Sequence, residues 1–230
     1  MNKIGISTGI FYKFYEEEEI NRSISHISRW NVEIVEILLS RLFMLDIPVS
    51  EENKEFLSSK EVIIHSPFFV NEGYNLCKLG REEIKKLVKL AKQLNAKYII
   101  VHPDLVEDLS ILDETDFPFA LENIKPEFSE IFCLENLKNT FENHKNLKLA
   151  LDPGHAKNLT IEQMKEISDD LGNLSELHAE LDDVNAFLKN GEETHSYFRT
   201  FNVPIVFEKF NDLRKVHLVI KKTKEILHQE

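Results

Sequence analysis

The chain has 230 residues, 42% of them hydrophobic, and a formal net charge of −12. That is enough for one large core, and α/β barrels reach this length as a single domain, here expected to span 1–230. No run of about 18 apolar residues exists, which excludes a membrane-spanning helix, and the diffuse acidic balance argues against a broad basic nucleic-acid face without excluding a locally reversed field.

Lys3 to Ser7 reads as a first short strand, entered directly from Met1 with no apolar signal region. Glu16 to Trp30 carries Ile20, Ile24, Ile27 and Trp30 at helical spacing. Val32 to Leu39 is a second strand with Glu33 and Glu36 among its apolar residues, and a helix is expected after Pro48-Val49-Ser50. Val62 to His65 is a third strand ending in histidine, followed by a long loop from Ser66 to Gly80. Arg81 to Leu94 is the clearest helix, with Ile84, Leu87, Leu90 and Leu94 on one stripe. Tyr98 to Val101 is a fourth strand that runs into His102, and Asp104 to Asp116 is polar with a short helical middle. Phe117 to Glu122 is a fifth strand, and Lys125 to His144 is helical in period. Leu147 to Leu151 is a sixth strand leading to Asp152, Pro153, Gly154 and His155. Thr160 caps an amphipathic helix that ends at Leu171. Leu174 to His178 is a seventh strand, Asn185 to His195 reads as loop, Val203 to Glu208 is an eighth strand, and Asn211 to His228 is a closing helix.

Eight strand-like runs separated by helical periods, with no composition break, predict an α/β fold, a single (β/α)8 TIM barrel. Cys77 and Cys133 lie far apart without a C-x-x-C spacing and suit packing roles in a reducing compartment, so the expected location is cytoplasmic; the expected state, separately, is a monomer.

The active site of such a barrel lies at the C-terminal ends of its strands. His65, His102, Glu122, Asp152, His178 and Glu208 each stand at that end of a different strand, and His155, Glu193 and His195 lie in adjoining loops. Taken singly, each has an ordinary explanation. A strand-end histidine is commonly a hydrogen-bonded turn residue, Asp152 suits a Pro-Gly turn, and Glu193 suits a solvated loop. Convergence changes the balance, because five of the nine histidines fall at the mouth and no lysine or arginine occupies the strand ends. Carboxylates gathered without cations are costly to desolvate, and a bound divalent metal is the simplest neutraliser. Nitrogen and oxygen donors without cysteine suit zinc, manganese or iron.

The motifs His65 with Phe-Phe-Val-Asn, Val101-His102-Pro103, Leu121-Glu122-Asn123, Asp152-x-x-His155, His178, Glu193-x-His195 and Glu208 resemble the xylose-isomerase-like barrels, and within them the endonuclease IV family of apurinic/apyrimidinic endonucleases. The resemblance spans nearly the whole chain. It implies up to three zinc ions, with manganese as the alternative. His65, His102 and Glu122 would hold the first. Glu122 would bridge to a second held by Asp152, His178 and Glu208. His155, Glu193 and His195 would hold the third, with Glu193 standing where the family has aspartate. The implied activity is metal-assisted hydrolysis of a phosphodiester, either abasic DNA or something smaller, with Glu122 and Glu208 as the catalytic carboxylates. Sugar isomerases and epimerases of the same superfamily imply a rival reading. There one metal sits on residues matching Glu122, Asp152, His178 and Glu208, and the two glutamates move protons on a small ketose. A barrel that binds without catalysis is the third class.

Overall fold

The computed structural model describes residues 2–12 and 19–228, with the side chains of 192–194 and 196 outside the described set. Eight parallel strands close into a barrel in sequence order. They are β1 (Ile4–Ser7), β2 (Ile34–Leu38), β3 (Glu61–His65), β4 (Ile99–Val101), β5 (Phe119–Glu122), β6 (Lys148–Leu151), β7 (Leu174–Leu181) and β8 (Ile205–Phe210). β8 returns to pair with β1 through Gly5 and Val206. Helices follow the strands: α1 (Ile20–Ile27), α2 (Glu51–Ser58), α3 (Arg81–Gln93), α4 (Ser110–Asp113), α5 (Lys138–Asn143), α6 (Ile161–Leu171), α7 (Val184–Thr194) and α8 (Val216–His228). The chain is therefore a (β/α)8 TIM barrel.

Two apolar cores follow from strands buried on both faces. The larger fills the space between sheet and helices, where α3 contributes Ile84, Leu87, Leu90 and Ala91. The smaller lies inside the barrel and is built from Ile34, Ile63, Tyr98, Ile100, Ala120, Ala150 and Val206. Gly5 is needed beside this plug, since a Cβ there would sit 2.9 Å from Ile34 Cβ. Side chains two residues apart on a strand share a face. Two positions beyond six of these plug residues stand Glu36, His65, His102, Glu122, Asp152 and Glu208. The apolar plug thus forms the floor on which a polar layer rests.

Local chemistry ends the helices where expected. Ser50 caps α2 by accepting from Asn53 N at 3.3 Å. Thr160 and Gln163 form a reciprocal capping box on α6, and Gly172 closes that helix at φ 69°.

Several boundaries differ from the sequence expectation. The helical period across Lys125 to His144 yields only α5 and one short turn, because Pro126 opens a long β5–α5 loop that leaves Phe128 and Ile131 exposed. The stretch Asn185 to His195 is not loop but α7, capped by Asp183 and broken at Asn190. β7 and β8 run on to Leu181 and Phe210, so His178 and Glu208 lie inside strands rather than at their ends. Residues 16–18 of the first expected helix fall outside the described residues; α1 covers 20–27, and 28–30 turn away instead of continuing it. Cys77 and Cys133 are both buried free thiols. No helix among the described residues is long and apolar enough to cross a membrane.

Candidate metal centre

Glu122, 2% exposed, is the hub of the barrel mouth. Its Oε2 lies 2.9 Å from His65 Nε2 and 3.0 Å from His102 Nε2. Its Oε1 lies 3.1 Å from His155 Nδ1 and 3.7 Å from His178 Nδ1. One carboxylate therefore presents its two oxygens to two separate sets of donors. The first set is His65, His102 and Glu122; the second is Glu122, Asp152, His178 and Glu208. Within each set the donor atoms lie within 4.8 Å of one another.

Backbone contacts fix which ring atoms are available. His65 Nδ1 faces the Ser66 carbonyl at 3.0 Å. A carbonyl only accepts, so Nδ1 donates and Nε2 is left for the mouth. His155 Nδ1 donates in the same way to the Asn123 carbonyl at 2.9 Å, leaving Nε2 3.3 Å from Asp152 Oδ2. Asn123 also grips the Asp152 backbone from both sides, donating to its carbonyl at 2.9 Å and accepting from its N–H at 2.8 Å. Asp152 has two duties. Oδ1 accepts from Gly154 N and shapes the turn, while Oδ2 faces the mouth. Phe68 stacks on the His102 ring at 6.0 Å and meets His65 edge-on, forming one wall of the site.

The donor set fits a divalent metal. His178 Nδ1 is buried 3.1 Å from Glu208 Oε2, yet no hydrogen bond forms there. A buried ring nitrogen without a hydrogen-bond partner, set among the carboxylates of Glu122, Asp152 and Glu208, is a donor that a cation would use. His65, His102, Glu122, Asp152, His178 and Glu208 are therefore positioned to hold cations, and His155 adjoins both Glu122 and Asp152.

Of the two remaining expected ligands, only His195 has a described side chain. The His195 imidazole packs against Phe187 at 4.8 Å and against Phe198 and Tyr197, and burial lowers its pKa. It belongs to neither mouth set. The Glu193 side chain lies outside the described residues.

Sequence reasoning missed other residues. Glu36 and Glu176 are fully buried and form a further group with His178. Tyr197 stands near enough to Asp152 that burial and that charge push its phenol up. Beside His155 a cavity of about 500 Å3 is lined by Lys125, Lys157, Glu127 and Asn158. Neither lysine has an ion-pair partner among the described residues.

Electrostatics tie the groups together. Burial opposes a charge on Glu122, but His102, His155 and His178 outweigh it and hold the carboxyl well below the usual range. Burial likewise opposes a charge on His65, and Glu122, Glu36 and Glu208 reverse it, raising the imidazole to about 9. His155 rises to about 9 in the same manner through Glu122 and Asp152. Burial pushes Glu208 up to about 8, against the pull of His178.

These shifts predict opposite pH trends with and without metal. A cation must displace the imidazole protons, so zinc affinity should climb from pH 6.5 to 9, by up to about tenfold per pH unit for each proton released. The metal-free fold should weaken over the same window. His65, His155 and Glu208 hold protons in the folded chain that the unfolded chain has shed, and stability from a raised pKa disappears as pH passes through it. Thermal melts with and without chelator from pH 6.5 to 9 check both trends; a metal-free Tm that rises across the window would contradict this charge assignment.

No protein-family model matches the chain, and no curated protein matches it. Solved structures do. The protein in the crystal structure of AsfvAP:AG superposes with a TM-score of 0.64 at 10% identity, covering 98% of this chain and 99% of that one. D-allulose 3-epimerase from Methylomonas sp., in complex with D-allulose, gives 0.61 at 12% identity over 91% of this chain and 84% of its own. A protein of Agrobacterium tumefaciens, provisionally described as a glycerophosphoryl diester phosphodiesterase, gives 0.58 at 9% identity, with 98% of each chain covered. Identities this low establish the shared barrel and nothing finer.

Proposed function

We propose that the chain is a metal-dependent hydrolase of phosphodiesters, loaded with zinc at the barrel mouth and acting on abasic DNA or a smaller phosphoester. The observation that carries this reading is the division of Glu122 between two donor sets, with His65 and His102 on one oxygen and His178 of the second set nearest the other. A one-metal site has no use for the first set. Bound cations would polarise a phosphoryl oxygen and acidify water. The chain's own groups would do the rest. Glu122 would hold the two halves in register, and Asp152, His178 and Glu208 would complete the second set. Glu208, the more exposed of the two glutamates at 14%, would be placed to take up or return a proton near neutral pH. Lys125 and Lys157 would offset the negative charge of a phosphoester entering beside His155.

A second reading is favoured by the completeness of Glu122, Asp152, His178 and Glu208 as a set in their own right. With one metal, Glu122 and Glu208 flank a space where a ketose carbonyl could lose and regain a proton. This is the isomerase or epimerase alternative, and the D-allulose 3-epimerase barrel is compatible with it.

Metal analysis and a substrate panel separate the two. The hydrolase reading expects two to three zinc ions per chain and turnover of abasic-site duplex or bis(p-nitrophenyl) phosphate. One manganese or magnesium with turnover only of ketoses would replace it with the alternative.

A further inference from the structure

Behind His178, the barrel buries two carboxylates that the proposed hydrolysis does not use. Glu36 on β2 and Glu176 on β7 are both 0% exposed. The interior of such a barrel is ordinarily filled by branched apolar side chains, and replacing buried ionic groups by well-packed apolar ones is often neutral or stabilising. Fold stability alone therefore does not account for them. Both converge on one atom. His178 Nε2 lies 3.2 Å from Glu176 Oε1, a hydrogen bond, and 3.4 Å from Glu36 Oε2. The Tyr98 phenol adjoins Glu176, and Ser7 adjoins Glu36.

His178 is thus engaged on both edges. Nδ1 faces Glu208 and Glu122 in the mouth, and Nε2 faces the buried pair. An imidazole can offer Nδ1 to a cation only when its proton is on Nε2, and an acceptor at Nε2 keeps it there while making the ring a stronger donor. Carboxylates are the strongest such acceptors available to a side chain.

We propose that Glu36 and Glu176 are a positioning pair: they hold His178 as its Nε2–H form and aim Nδ1 into the mouth, setting the affinity of the second donor set for a divalent cation. This rests on the reading of the mouth as a metal centre.

The test titrates the full-length, metal-free chain with zinc against a chromophoric chelator. Glu176→Leu removes the acceptor and should weaken zinc binding about 10–100-fold at unchanged stoichiometry. Glu176→Gln keeps an acceptor oxygen and should stay within about threefold of wild type, a rescue that a packing role would not produce. In the zinc-loaded wild type, 15N NMR of the His178 ring should show a slowly exchanging proton on Nε2 and none on Nδ1. Should Glu176→Leu not fold, as judged by circular dichroism, Glu176→Asp withdraws the acceptor by one methylene and should weaken zinc in the same direction. Wild-type affinity in Glu176→Leu overturns the proposal alone. Loss of one zinc equivalent with the rest unaffected also overturns it, because the pair would then be an ion site itself. A wild-type chain that takes up no zinc overturns the metal reading and this proposal together.

Discussion

Glu122→Gln is expected to abolish turnover, lowering kcat/KM by about a thousandfold or more, and to strip metal from both donor sets at once. The substitution preserves shape and removes charge. A glutamine amide has one oxygen and one NH2 group, so one of the two donor sets must face a donor where it had an acceptor. Either orientation fails. With the NH2 toward His65 and His102, the first set loses its only carboxylate; with the NH2 toward His155 and His178, the second loses its link to the first. Removing one partner from a fully buried ionic cluster costs about 3–5 kcal/mol, the upper end applying only if the imidazoles keep their protons. They need not, because His65 and His155 owe their raised pKa values largely to Glu122 and would discharge without it. The metal-free variant should therefore melt lower than wild type near pH 6.5 and approach it near pH 9. Metal content, steady-state kinetics and paired melts check the three parts. Activity above about one hundredth of wild type would show that Glu122 does not bridge.

The barrel and most of its mouth were legible for one reason. A parallel strand buried on both faces is an apolar run, and a histidine or acid that ends it has few places to go. His65, His102, Glu122 and Asp152 follow that rule. His178 and Glu208 were found by it only approximately, since their strands continue for two or three residues; their inward parity places them, not a strand end. Parity is also why Glu36 was missed. In a strand buried on both sides, nothing in the sequence says which alternate residues face the barrel axis. Glu33 and Glu36 looked equivalent, yet only Glu36 shares the parity of Ile34 in the inner plug. The register with Val35↔Val62 and Glu36↔Ile63 resolves this, and register is a tertiary property. α7 was hidden by Gly191 and its acidic neighbours, which read as loop chemistry although the helix is capped by Asp183 through Asn185 N and Ala186 N. For His195 the resemblance implies a third-ion ligand, and among the described residues its ring meets Phe187, Tyr197 and Phe198, an aromatic neighbourhood that the sequence pattern does not reveal.

His65→Ala should divide what Glu122→Gln destroys together. His65 makes its mouth hydrogen bond within the first donor set, through Nε2 on Glu122 Oε2, and its Nδ1 is tied to the Ser66 carbonyl. Its loss should remove one zinc equivalent and lower phosphodiester turnover at least about a hundredfold, in line with the loss of a major electrostatic contact to the developing charge. Glu122, Asp152, His178 and Glu208 keep their mutual geometry, and the chain should still bind one cation. His65 is one partner of the same buried cluster, so the metal-free variant should also melt lower than wild type near pH 6.5 and approach it near pH 9. The two functional readings part here. A hydrolase needs both cations around Glu122 and loses its activity with the first, while an isomerase works through the second set and is indifferent to His65. If ketose turnover were present in the wild type and intact in His65→Ala, the first set would be a vestige, and the chemistry of this barrel would lie entirely with Glu122, Asp152, His178 and Glu208.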